Sequence, residues 1–63
     1  MLWRVEFLRR DIARRGGAFS DRLMSADSES DLHEMAWTES KARKAEGIRV
    51  QNLHTGKYKE VWD

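Results

Sequence analysis

The sequence predicts a small α+β domain of the ββαββ type, in which one helix packs on one face of a small antiparallel sheet. Residues 28–47 have the ends and composition of a helix, residues 48–62 have the pattern of a β-hairpin, and residues 2–9 alternate apolar and polar side chains. A lone hairpin under a helix is marginal, whereas three or more strands that share an apolar face are stable. A further strand is therefore expected at residues 19–26.

The predicted helix begins at a serine and ends at a glycine. Ser28 and Asp31 form an S-x-x-D start, in which the serine hydroxyl accepts a hydrogen bond from the third helical amide. Acidic residues follow in the first turns and basic residues lie towards the other end, as the helix dipole favours. Gly47 is expected to be the left-handed residue that ends the helix.

The predicted hairpin pairs residues 48–53 with residues 58–62. Gly56 lies where a type I turn followed by a bulge requires a positive φ. The alternation of the last strand does not decide which of its faces points inward, because a glutamate lies between two aromatic residues. We expect Trp62 to point towards the helix.

Residues 2–15 fit two interpretations. With a period of two, the segment starts with a strand and continues into a loop. With a helical period, an apolar stripe runs from Leu2 to Ile12 and Gly16-Gly17 ends the helix. The strand interpretation is preferred because it completes a sheet under the helix. The core then expected contains Trp3, Val5, Phe7, Leu32, Met35, Ala36, Ile48, Val50 and Trp62.

Length and composition indicate a single small domain spanning residues 1–63. The chain is 40% hydrophobic and 37% charged, and one core of this size supplies about 3–5 kcal/mol of stability. It contains no cysteine, which excludes disulfides and thiolate zinc sites and is typical of a cytoplasmic protein. No apolar run approaches the roughly 20 residues of a membrane span, so no membrane association is expected.

No catalytic, cofactor or metal motif is evident. The two histidines lie on different elements, and no serine has a histidine and an acid in a recognisable order. Gly56-Lys57 lacks the upstream glycine and the hydroxyl residue of a phosphate-binding loop. A small sheet with one helix leaves little room for a concave pocket. We therefore expect a protein that is not an enzyme and that binds no cofactor, metal or small-molecule ligand.

The function predicted from these features is protein binding, as an adaptor or a stoichiometric inhibitor of the kind found among phage and mobile-element accessory proteins. Self-association through an unpaired strand belongs to the same hypothesis. Trp37 lies off the apolar face of the helix, with Lys41 and Lys44 on its side. Tryptophan is enriched at binding hot spots, so these three residues are the candidate partner contact. The alternative is that Trp37 packs at the edge of the helix.

A second hypothesis is nucleic-acid binding by the arginine-rich N-terminal segment. Arg9, Arg10, Arg14 and Arg15 are clustered there, and arginines in a loop can contact phosphates and release counterions. The alternative is an ordinary solvated loop, neutralised by nearby acids. The two functional hypotheses differ in salt dependence, because phosphate contacts weaken steeply as ionic strength rises.

Overall fold

The computed structural model describes residues 1–13 and 18–63 and confirms the ββαββ arrangement. In this part of the chain the strands form one antiparallel sheet in the order β2-β1-β3-β4, with the long helix α2 on one face. The helical interpretation of residues 2–15 is wrong for its first half, and the helix stop expected at Gly16-Gly17 lies outside the described residues. The elements are β1 (Leu2–Leu8), the short helix α1 (Arg10–Ala13), β2 (Ser20–Ser25), α2 (Glu29–Ala42), β3 (Gly47–Asn52) and β4 (Tyr58–Trp62).

The sheet has an inner face, covered by α2, and an outer face on the opposite side. Directly opposed residues of an antiparallel pair share a face, so the register assigns each side chain. Val5 lies opposite Val50, and Trp3 lies opposite Met24. These apolar residues and their neighbours on α2 form the core. Its buried members are Trp3, Val5, Phe7, Met24, Leu32, Ala36, Ile48 and Val50, with Ala26, Trp37, Ala45 and Val61 half-buried against them.

Two residues of the predicted core lie outside it. Met35 is 46% exposed on α2, and Trp62 is 36% exposed on the outer face. The cause for Trp62 is the register of the hairpin, which places Val61 opposite Ile48 on the inner face. Since neighbouring strand residues point to opposite sides, Trp62 then points outward. Among the side chains that the structure describes, the buried ones that the sequence did not predict are those of Leu8, Met24 and Ser40.

The start of α2 is as predicted. The Ser28 hydroxyl accepts a hydrogen bond from the Asp31 amide at 3.1 Å, and the backbone of Ser28 is extended, as an N-cap residue requires.

The end of α2 differs from the prediction, because Gly47 does not cap it. The left-handed residue is Lys44, with φ of 58°. The Lys44 amide donates to the Lys41 carbonyl at 3.1 Å, and the Ala45 amide donates to the Ser40 carbonyl at 2.8 Å. This is the Schellman pattern of hydrogen bonds. Gly47 is the first residue of β3, and its small size is required there for packing.

Ion pairs show that α2 crosses the sheet diagonally. Near its start, Glu29 pairs with Lys59 of β4 at 2.9 Å. Near its end, Glu39 pairs with Arg22 of β2 at 3.1 Å, and Arg43 reaches the same carboxylate at 3.1 Å. Exposed ion pairs contribute only about 0–1 kcal/mol each. Burial of the apolar side of α2 therefore holds the helix on the sheet, and the ion pairs fix its direction.

The β3–β4 hairpin forms as predicted. Gly56 has a φ of 78°, and its amide donates to the Asn52 carbonyl at 2.7 Å. The Asn52 side chain also accepts hydrogen bonds from the amides of His54 at 2.8 Å and Thr55 at 3.2 Å. The turn is thus fixed by local hydrogen bonds, and it sets the register of the strands on either side.

Candidate functional site

The outer face is the side of the sheet that α2 leaves uncovered, and its side chains lie in rows across the strands. The first row joins Ser25 to Leu2, the second joins Leu23, Arg4, Gln51 and Tyr58, the third joins Asp21, Glu6, Arg49 and Glu60, and the fourth joins Leu8, Gly47 and Trp62.

Four exposed apolar side chains, here called the apolar patch, lie around the second row of the outer face. Tyr58 is 67% exposed and Leu23 is 56% exposed, at opposite edges of the sheet. Leu2 and Leu53 are also exposed, and they line a shared hollow of about 490 Å³. The apolar patch therefore consists of Leu2, Leu23, Leu53 and Tyr58.

Polar groups occupy the middle of this patch and are satisfied within the chain. Arg4 donates to Asp21 at 2.9 Å, and the Gln51 amide donates to the Gly56 carbonyl at 3.2 Å. The centre of the second row is therefore polar but internally bonded.

The third row is an ionic ladder. Arg49 lies 2.8 Å from Glu60 and 3.4 Å from Glu6. The pKa of Glu60 is lowered below 4.5, mainly because Arg49 donates a hydrogen bond to its carboxylate and, to a smaller extent, because the Trp62 indole does so. The outer face as a whole has two arginines and three carboxylates, and it is therefore slightly acidic.

The far end of the outer face is closed by contacts between α1 and β4. Arg10 donates to the Glu46 carboxylate at 2.9 Å and to the Asp63 carbonyl at 2.8 Å, and its guanidinium lies 5.6 Å from the centre of the Trp62 ring. The backbone hydrogen bond from Arg10, and then the side-chain bond, lower the pKa of Glu46. This end of the face is structural, because its polar groups are used in holding the C-terminal strand.

The structure brings two of the three predicted partner contacts together. Trp37 is half-buried and packs against the core, and the Lys41 ammonium lies 5.8 Å from the centre of its ring. Lys44 is exposed at the end of the helix, in the left-handed conformation already described. Trp37 thus contributes to packing, and only part of its ring is accessible to a partner.

The structure describes two of the four predicted nucleic-acid contacts. Arg9 is exposed, with its guanidinium 6.0 Å from the centre of the Phe19 ring. Arg10 is held by Glu46 and the C-terminal backbone. Arg14 and Arg15 lie outside the described residues.

Among residues 1–13 and 18–63, no group of three or more histidines, cysteines or carboxylates is placed to hold a metal ion. No helix in these ranges is long and apolar enough to cross a membrane. His33 is half-buried, and its Nε2 atom is buried without a hydrogen-bond partner.

The apolar patch contains residues that sequence reasoning did not single out. A signal for Leu2 was present, because it alternates with Trp3 along β1 and must point away from the core once Trp3 points inward. Leu23 similarly alternates with Met24. The positions of Leu53 and Tyr58 depend on the hairpin register, which the alternation of β4 alone did not determine.

Thermal stability is expected to fall in acid, because hydrogen-bonded bases lower the pKa of four glutamates below 4.5. A carboxylate whose pKa is lower in the folded state contributes stability above its unfolded pKa and loses that contribution as the pH falls through its folded pKa. We expect a constant melting temperature above about pH 5 and a progressive fall below it, measured by circular dichroism. The four residues are Glu29, Glu39, Glu46 and Glu60.

A matched variant isolates one of these contributions. The pKa of Glu39 is lowered mainly by the hydrogen bond from Arg43 and, to a smaller extent, by the hydrogen bond from Arg22. Glu39→Gln should therefore lower the melting temperature at neutral pH and make its fall in acid shallower. An acid profile parallel to that of the wild type would contradict a role for this ion pair in stability.

Comparison of the chain with protein-family models, with curated proteins and with solved structures found no match. The function is therefore argued from the surface described above.

Proposed function

We propose that this chain is a small, non-enzymatic binding module that takes a protein partner on its outer face, as an adaptor or a stoichiometric inhibitor. The observation that carries the proposal is the apolar patch, where Leu2, Leu23, Leu53 and Tyr58 are exposed on the side of the sheet that α2 does not cover. Clustered apolar side chains that no element of their own chain covers are typical of interaction surfaces. The absence of cysteine agrees with the proposed cytoplasmic location.

The chemistry of the face favours a partner that presents both apolar and basic side chains. Tyr58, at one edge, provides a large amphipathic ring of the kind enriched at hot spots. The neighbouring row has the Arg49 ladder with Glu6 and Glu60, in which carboxylates are in excess. A basic side chain of the partner would find a carboxylate beside the patch, and such complementarity favours encounter and fixes orientation.

Nucleic acid is the alternative partner, and the geometry supports it less. A phosphate backbone would meet an excess of carboxylates on the outer face. Arg10 is already bonded to Glu46 and to the Asp63 carbonyl, so a carboxylate offsets its charge and two of its five N–H donors are engaged. Arg9 is the best remaining candidate among the described residues.

Affinity capture from the native host tests the proposal, with the wild-type chain and two variants as baits. Leu2→Glu and Tyr58→Glu each place a charge on the exposed patch, away from the core, and should reduce recovery of the captured partner at least about tenfold, or about 1.4 kcal/mol. Ser30→Glu, on the exposed side of α2, is the matched control and should leave recovery unchanged. Circular dichroism establishes that all three variants fold.

Two results would contradict the proposal. The first is unchanged recovery by both patch variants, with loss of the partner on Lys41→Glu instead, which would place the contact beside Trp37. The second is binding of a random-sequence duplex or single strand to the chain at low salt, measured by fluorescence anisotropy. This binding would weaken as salt rises and would be lost in Arg9→Ala.

A further inference from the structure

Strand β2 has a free edge whose outward-pointing groups the register identifies. The Ala26 amide donates to the carbonyl of Met1, the residue before β1, at 3.1 Å, in line with the register of the β1–β2 pair. Backbone groups of successive residues in an antiparallel strand point alternately to its two sides. The amides and carbonyls of Asp21, Leu23 and Ser25 therefore point away from β1. In the order β2-β1-β3-β4, no strand formed by residues 1–13 or 18–63 lies on that side.

This edge is self-complementary in one register. If two β2 strands pair in antiparallel orientation about Leu23, each Asp21 lies opposite a Ser25, each Arg22 lies opposite a Met24, and no like charges are opposed. The outward-pointing residues then pair with one another and exchange their hydrogen bonds. A shift that centres the pair on Arg22 opposes two guanidiniums, and like charges directly opposite are destabilising. The register about Leu23 is thus the favoured one.

The inner side of the same edge opens into a groove. Because α2 runs away from β2 towards β4 at its N-terminal end, a groove of about 700 Å³ opens beside the end of β2. Away from the groove, the C-terminal part of α2 contacts the first half of β2. Two basic residues lie at this contact, since Arg22 pairs with Glu39 and Arg43 donates to Ser20. The groove is lined by Ser25, Ala26, Asp27, Asp31, Glu34, Met35, Thr38 and Glu39.

A two-fold axis through Leu23 brings these two features together. It places Arg22 of the second copy opposite Met24, on the inner side, where the groove opens. Asp31 and Glu34 of the groove are exposed, and this arginine would reach them by leaving Glu39 of its own copy, with which it pairs in the single chain. The exposed Met35 can pack along its aliphatic stem. The edge is therefore complementary to itself in backbone hydrogen bonding and in charge.

We propose that two copies of this chain pair through their β2 strands about Leu23 to form a symmetric dimer with one continuous sheet. This inference goes beyond the proposed function, because it uses the edge of β2 and needs no foreign partner. Since the axis is perpendicular to the sheet, both helices lie on one side and both outer faces lie on the other. The two apolar patches then meet at Leu23.

The opposite edge of the sheet is less suited to self-pairing. The outward-pointing residues of β4 include Glu60, because the amides of Asn52 and Asp63 fix the alternation of the β3–β4 pair. Pairing centred on Glu60 opposes two carboxylates. The guanidinium of Arg10 also occupies the end of β4, over the Trp62 ring. A charged edge of this kind is a common protection against strand addition.

A charge-swap experiment tests the dimer, with sedimentation velocity as the measurement. Leu23 is 56% exposed in the monomer, so Leu23→Asp and Leu23→Lys should both fold. Each variant alone opposes two like charges at the axis and should sediment as a monomer where the wild type is a dimer. An equimolar mixture of the two variants opposes aspartate to lysine and should restore the dimer. Tyr58→Asp, on the other edge strand, is the matched control and should leave the dimer intact.

Three results would overturn the proposal. A wild-type chain that stays monomeric up to about 1 mM has no such dimer. A dimer that survives both Leu23 variants but dissociates in Tyr58→Asp uses another surface. A mixture that stays monomeric, although the wild type dimerises, excludes the register about Leu23. Partner capture by Leu2→Glu and Tyr58→Glu is measured separately, so failure of the dimer and failure of the proposed function are distinguishable.

Discussion

Replacement of Trp3 by alanine is expected to destabilise the fold by about 3–5 kcal/mol, the range for a large aromatic residue removed from a core. Trp3 is 3% exposed, on a central strand between β2 and β3. A domain of this size has about 3–5 kcal/mol of stability in total. Trp3→Ala should therefore be largely unfolded at room temperature, which urea titration followed by far-ultraviolet circular dichroism would show.

The other two tryptophans provide matched controls for this substitution. Trp37 is half-buried at the edge of α2, and Trp62 is 36% exposed on the outer face. Trp37→Ala and Trp62→Ala should each lower the midpoint of unfolding by less than Trp3→Ala does. An equal loss in Trp37→Ala would show that Trp37 is a core residue with no surface role. An equal loss in Trp62→Ala would contradict its placement on the outer face.

Substitution of Gly47 by valine is expected to destabilise the fold by about 1–3 kcal/mol, as overpacking of a well-packed site does. A β-carbon at this position would lie 2.6 Å from Cε3 of Trp62 and 2.9 Å from the Val61 carbonyl oxygen. The carbonyl belongs to the backbone of the paired strand and cannot move without breaking the ladder. Thermal melting should show a fall of about 4–8 °C for each kcal/mol lost.

A double-mutant cycle separates this contact from a general effect of the substitution. Trp62→Val removes the ring that lies over Gly47, so Gly47→Ala should be less harmful in that background than in the wild type. Gly56→Ala is the control for backbone conformation, because Gly56 has a positive φ and a β-carbon added there would meet no atom of another part of the chain within 4 Å. Strictly additive effects of Gly47→Ala and Trp62→Val would contradict the steric explanation.

Features of the fold with local causes were predictable from the sequence. The Ser28 cap, the Gly56 turn and the alternation along β1 each depend on neighbouring residues, and all three are present. The predicted direction of the Trp62 side chain was wrong, because this direction depends on the pairing of β3 with β4. The predicted role of Gly47 was wrong for the same reason. A glycine is required at this position because the Trp62 ring of the paired strand lies against it, and the left-handed residue at the end of α2 is Lys44.

The candidate site was less predictable than the fold. Trp37 and Lys41 are adjacent on α2, as helical spacing predicted, but the depth at which Trp37 packs is set by the angle between helix and sheet. The apolar patch joins Leu2 and Leu23 from one strand pair with Tyr58 from another. No local pattern joins these residues, and only the strand order β2-β1-β3-β4 brings them onto one face.

Site-specific photocrosslinking in the native host tests the central claim most directly, which is that the outer face binds a protein partner. A photoreactive residue would replace Leu2 or Tyr58 on the outer face. In the control variants it would replace Ser30 on α2 or Lys44 at the C-terminal end of this helix. All four positions are exposed. We expect a crosslinked protein partner from the outer-face positions and none from the helix positions. Crosslinks from the helix positions alone would contradict the account and place the binding surface on α2.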